Sequence, residues 1–114
     1  MSKDTPNLYE GMYIISATLS DDARTKALER IQNGITQRGG EIKKVHDFHR
    51  RRLAYEINGH KEGHYFVLYF TIKPSAVTDL WQEYHLNEDL VRFITFRTDN
   101  VVDEIKFKPL VEEQ

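Results

Sequence analysis

The chain has 114 residues, 39% of them hydrophobic, a formal net charge of -2 and no cysteine. That is the length of one domain, with enough apolar material for one core, and it excludes a disulfide scaffold, thiolate metal sites and a uniformly basic coat. No apolar run approaches the ~20 residues of a membrane span, and the opening Met1-Ser2-Lys3-Asp4-Thr5-Pro6 lacks the apolar stretch of a secretory signal. The first element is a strand over Leu8 to Ser16, rich in aromatic and β-branched residues. Ser20 then offers an N-cap oxygen, and Asp21 and Asp22 sit where a helix dipole favours anions. Ala23, Ala27, Leu28, Ile31 and Ile35 follow at helical spacing, and Gly39-Gly40 ends that helix. Glu41 to Asp47 reads as a weaker strand that Arg51 to Asn58 continues as a hairpin limb or bent strand, with turn chemistry from Asn58 to Gly63. Tyr65 to Ile72 is apolar on both faces, as in a central strand. Pro74 suits the start of a second helix, striped by Val77, Leu80, Trp81 and Tyr84, with Trp81 expected in the core. Asn87-Glu88-Asp89 breaks it, and Leu90 to Thr98 is a last strand.

The order β-α-β-β-α-β predicts an α+β, ferredoxin-like domain over residues 1–99, with a four-stranded antiparallel sheet and both helices on one face. Its expected core is Ile14, Leu28, Ile31, Ile35, Val67, Leu80, Tyr84 and Ile94. Residues 100–114 form a mixed-charge tail with no period. Its apolar Val101, Val102, Ile105, Phe107 and Leu110 gain little by folding alone and suit a partner's surface.

Charge is distributed unevenly. Residues 38–64 hold seven Lys/Arg against four acids, whereas residues 99–114 hold five acids against two lysines. The densest positive stretch is Arg50-Arg51-Arg52. Strand alternation places Arg50 and Arg52 on one side and Arg51 on the other. Such a run either protects an edge strand or binds a polyanion, and the planar guanidinium suits phosphate. His46, His49, His60 and His64 cluster nearby, but without metal-site spacing, so they read as solvated strand and turn residues and no metal is expected. Residues 62–69, EGHYFVLY, partly match the RNP1 pattern at Gly63, Phe66, Val67 and Tyr69, although an aromatic central strand also reads as plain core. The segment Ser16 to Ser20 has neither the arginine nor the glycine of an anion-cradling loop, so no catalytic residue is expected.

Several pieces of the sequence together resemble one family. They are Tyr9-Glu10, Gly39-Gly40-Glu41-Ile42, Arg50-Arg51-Arg52-Leu53-Ala54-Tyr55-Glu56-Ile57-Asn58, Gly63-His64-Tyr65, Leu86-Asn87-Glu88-Asp89-Leu90-Val91-Arg92 and Arg97-Thr98. Over about residues 8 to 99 the chain resembles the bacterial small-subunit ribosomal protein S-six family. The resemblance implies a structural, non-enzymatic component of the cytoplasmic ribosome, with no cofactor and no small-molecule substrate. It implies binding to small-subunit ribosomal RNA through Lys43, Lys44, His49, Arg50, Arg51, Arg52 and Lys61. It also implies binding to ribosomal protein S-eighteen through Arg92, Arg97, Val101, Val102, Ile105 and Phe107. The chain departs from the family in three places: His49 stands where glycine is usual, Glu56 where proline is usual, and Phe48 where tryptophan is frequent. The alternative is a free-standing single-stranded RNA-binding domain of RNA-recognition-motif type, which would expose Tyr65, Phe66 and Tyr69 on the sheet.

Overall fold

A computed structural model describes residues 5–104 and places the elements in the order β1 (Asn7–Ser16), α1 (Asp21–Gln37), β2 (Glu41–Ile57), β3 (His60–Ile72), α2 (Pro74–His85) and β4 (Leu90–Arg97). The four strands form one antiparallel sheet in the order β2-β3-β1-β4. This is the expected ferredoxin-like arrangement. No helix among the described residues is long and apolar enough to cross a membrane.

Local chemistry sets the helix limits. The Ser20 hydroxyl accepts a hydrogen bond from the Ala23 N–H at 3.1 Å, satisfying one orphan donor of α1. At the other end Gly39 takes φ +83°. Gly39 N–H donates to the Thr36 carbonyl and Gly40 N–H to the Ile35 carbonyl, which is a Schellman closure. Pro74 opens α2, and the Asn87 side chain accepts the Asp89 N–H just before β4.

Strand alternation then divides the apolar residues into two layers. Tyr9, Tyr13 and Ile15 of β1 and Phe66, Leu68, Phe70 and Ile72 of β3 face Ala27, Ile31 and Ile35 of α1 and Leu80 and Tyr84 of α2. The hydroxyls of Tyr13 and Tyr84 meet at 2.8 Å inside this layer, so both buried polar atoms are satisfied. A second, smaller cluster lies on the opposite face: Ile14, Leu53, Ile57 and Tyr65, with Phe48 and Val91 against it. Ile14 and Val67 are therefore buried, but on the side away from the helices.

Three core expectations are corrected. Leu28 and Ile94 are only half-buried, because Leu28 lies at the margin of the α1 stripe and Ile94 is on the open face of an edge strand. Trp81 is 53% exposed. Leu80 and Tyr84 occupy the inward stripe of α2, so Trp81, next in the helix, is turned to its flank, edge-on to His85 and Phe93.

Candidate nucleic-acid interface

The basic run lies on a limb that extends past the rest of the sheet. Pairing of β1 with β3 stops at Ser16 and Gly63, while β2 and β3 continue together to Ile57 and His60. Asn58 and Gly59 close the limb with φ values of 48° and 82°, both in the left-handed region, as a two-residue hairpin turn requires. The turn is thus shorter than the Asn58-to-Gly63 stretch suggested, and His60 onward belongs to β3.

The orientation of the arginines is set by a bulge. Asp47 pairs with Phe66 and His49 with Tyr65, which leaves Phe48 as an extra residue. His49 adopts φ +66°, and its N–H donates to Asp47 Oδ1 at 2.8 Å. The extra residue exchanges the faces of everything that follows. Arg50, opposite His64, and Arg52, opposite Glu62, fall on the helix side; Arg51, opposite Gly63, and then Leu53 fall on the open face. Gly63 must be small here, since a Cβ would lie 2.3 Å from a methyl of Ile14. The expected alternation holds, and the bulge is also what directs Leu53 onto Ile14.

The three arginines have different surroundings. Arg50 Nε donates to Glu62 Oε1 at 2.6 Å, an exposed pair. Arg51 Nε reaches back to the Phe48 carbonyl at 2.8 Å and braces the bulge. Arg52 and Lys61 are exposed, Lys44 is half-buried, and none of the three makes an ion pair among the described residues. Lys43 pairs with Glu41, whose carboxyl the ammonium holds below its ordinary range. Beyond Arg52 the register slips, with Leu53 to Glu56 spanning the place of Lys61 alone. Leu53 and Ile57 turn inward, and Tyr55 between them is left 42% exposed. Sequence reasoning did not single out Tyr55. Its signal was an aromatic residue in the alternation Leu53-Tyr55-Ile57 directly after the arginine run.

The histidines are not all solvated. His64 is buried, stacked on Phe66 with ring centres 4.6 Å apart, and its Nε2 is 2.7 Å from Asp47 Oδ1. Burial outweighs the carboxylate and pushes His64 below its usual pKa, so at neutral pH a neutral imidazole donates to a charged Asp47. Burial raises the Asp47 carboxyl, but the His49 N–H and His64 bonds overcome this and hold it low. His46 is half-buried, edge-on to Tyr69, with Nε2 2.7 Å from the Val102 carbonyl.

That last contact places the start of the tail. Thr98 N–H still bonds the Leu8 carbonyl, but by Val102 the chain has passed from β4 at one edge to β2 at the other. Val101 and Val102 are exposed there, and Ile105 and Phe107 lie outside the described residues. Arg92 is half-buried on the open face opposite Ile14, while Arg97 is exposed opposite Tyr9, on the other face. The two arginines share the edge strand but not a surface. Tyr65, Phe66 and Tyr69 are 2%, 4% and 2% exposed. Base stacking needs open rings, and these three are core.

Comparison with known proteins gives one consistent result. The family model described as Ribosomal protein S6 matches residues 8–97. The small ribosomal subunit protein bS6 of Protochlamydia amoebophila is 69% identical over 114 residues, covering 100% of both chains. That of Chlamydia abortus is 53% identical over 112 residues, 98% of this chain and 100% of its own. The crystal structure of 30S ribosomal protein S6 from Thermotoga maritima superposes with a TM-score of 0.78 at 33% identity, covering 82% of this chain and 89% of that one. The C-terminal domain of MgtC from Mycobacterium tuberculosis shares the fold alone, at a TM-score of 0.58, 10% identity and coverage of 91% of this chain and 100% of its own. An S6-type sheet with no open aromatic platform, matched over its whole length by bS6 proteins, identifies the chain as a member of the ribosomal protein S6 family, a structural protein of the small ribosomal subunit.

Proposed function

We propose that the β2–β3 limb holds small-subunit ribosomal RNA, and that β4 with the tail binds ribosomal protein S-eighteen. The observation that carries the first part is the chemistry of the limb. Arg52 and Lys61 on the limb are without ion pairs among the described residues, as is Lys44 farther back on β2 opposite Tyr69. Arg50 is held only by an exposed carboxylate, a pair worth about 0–1 kcal/mol that a phosphate can replace. Tyr55 adds an exposed ring on the same limb. The second part is supported by Phe96 and Arg97, exposed on the edge strand β4, and by Val101 and Val102, exposed where the chain has crossed toward β2. A free-standing RNA-recognition motif is disfavoured, because its stacking residues are the buried ones.

The test is ribosomal RNA binding by a reconstituted complex with S-eighteen across a salt series. Each phosphate that a variant fails to neutralise should reduce the slope of log affinity against log salt by roughly 0.7 to 0.9. Arg50→Ala with Arg52→Ala is expected to weaken binding and flatten that slope. Equal affinity and equal slope would return the run to edge protection. Deleting residues 100–114 is expected to weaken capture of S-eighteen; unchanged capture removes the tail from the interface.

A further inference from the structure

We propose that Asp47, His49 and His64 form a binding site for one divalent transition-metal ion of the Zn²⁺ type. Asp47 Oδ1, His49 Nδ1 and His64 Nε2 all lie within 4.8 Å of one another. Two imidazoles and a carboxylate are a donor set that zinc takes, leaving a fourth position for water. Around a tetrahedral ion with bonds of about 2.0–2.2 Å, donor atoms stand roughly 3.3–3.6 Å apart. His49 Nδ1 is already 3.5 Å from Asp47 Oδ1. His64 Nε2, at 2.7 Å, must withdraw by only a fraction of an ångström.

The surroundings suit an ion that enters from solvent and is held from below. The His64 side chain is 7% exposed and fixed by its stack on Phe66, whereas Asp47 and His49 are 45% and 78% exposed. Two cations near the pair are compensated, Arg24 of α1, whose charge acts on His64, by Asp21 at 2.9 Å and Arg50 by Glu62, while Arg51 Nε is engaged by the Phe48 carbonyl of the same bulge. His64 is neutral with its proton on Nε2 toward Asp47. On binding, Nε2 gives its lone pair to the ion and the single imidazole proton moves to Nδ1, so His64 itself releases no proton. His49 coordinates through the Nδ1 lone pair, with a ring proton on Nε2 in the bound state. The Asp47 oxygen retains the His49 N–H and exchanges its His64 partner for the ion. A bound ion then ties β2 at its bulge to β3, one residue before Arg50 and two before Arg51.

The experiment titrates the untagged full chain with ZnCl₂ in competition with a chromophoric chelator, beside nitrogen NMR of the histidine rings and thermal unfolding. The expected result is one saturable ion per chain, a proton shift from Nε2 to Nδ1 at His64, and a melting temperature that rises with zinc. His49→Gly and His64→Gln should each lose affinity by at least about tenfold, while His60→Gln and His85→Gln keep it. His49→Gly also suits the left-handed backbone, so it folds at least as well as the parent and should lose only the zinc-dependent rise. No saturable binding, binding that survives His49→Gly, or binding lost in His60→Gln or His85→Gln overturns the site.

Discussion

At the residue scale, neighbouring arginines of one run have different jobs. Arg51 bonds the Phe48 carbonyl and supports the bulge, so its loss should appear in stability. Arg51→Ala is expected to cost about 0.5–1.5 kcal/mol in denaturant unfolding, the usual worth of one hydrogen bond. Arg52→Ala should stay within about 0.5 kcal/mol of the parent while weakening RNA binding, since surface charges away from such contacts contribute little. Reversal of these two rankings would mean that the bulge does not depend on the guanidinium. Gly63 is the steric counterpart. Its Cβ would meet Ile14 from across the ladder, so Gly63→Ala should cost about 1–3 kcal/mol, the range for an overpacked site. Unfolding midpoints of Gly63→Ala, alone and with Ile14→Val to make room, check this; the second change should recover part of the loss.

At the element scale, the β2–β3 limb rests on a turn whose geometry suits few residues. Gly59 has φ +82° at open surface, so Gly59→Ala meets no clash and is disfavoured by its backbone alone. The expected cost is about 1 kcal/mol, confined to faster amide exchange in residues 50–62. Elements with local signals were legible in the sequence: Ser20 and Gly39 at the ends of α1, Pro74 at the start of α2, and the double-sided apolar run of β3. What was not legible depended on a single extra residue. The usual glycine of the family at the position of His49 marks a bend there, but the string Asp47-Phe48-His49 does not say which residue is extra or which way the faces then turn. Without the bulge, neither the site of Leu53 nor the convergence of His49 and His64 on Asp47 can be derived. The cations of the limb could be read from the run itself. Which of them carry internal partners could not, because Glu62 arrives through pairing register and the Phe48 carbonyl through the bulge.

At the scale of the whole molecule, both sheet faces carry buried tyrosines, Tyr13 and Tyr84 on the helix side and Tyr69 on the open side. Burial raises Tyr84 to about 12, with Tyr13 opposing through its hydrogen bond; Tyr69 also rises to about 12, through burial and then Glu10; Tyr13 itself lies well above the ordinary value. Unfolded tyrosines ionise near ~10, so between about pH 10 and 12 the unfolded state holds fewer protons and stability falls as pH rises. Phenolate absorbance should therefore show some of the six tyrosines titrating only together with loss of circular dichroism. Titration of all six before unfolding would contradict the buried layer. The strand order has a consequence for the chain as it is made. β1 lies inside the sheet, paired with β3 on one side and β4 on the other, and its Tyr9 meets Arg97 from the far end of the domain. A growing chain that has emerged only to Ile72 can zip β3 onto both β2 and β1, yet β1 still presents a bare row of amides and carbonyls. During synthesis at ~5–20 residues per second, that edge stays open for the seconds needed to deliver residues 73–97. A truncated product ending before Leu90 would carry it permanently, as a template for pairing with other chains.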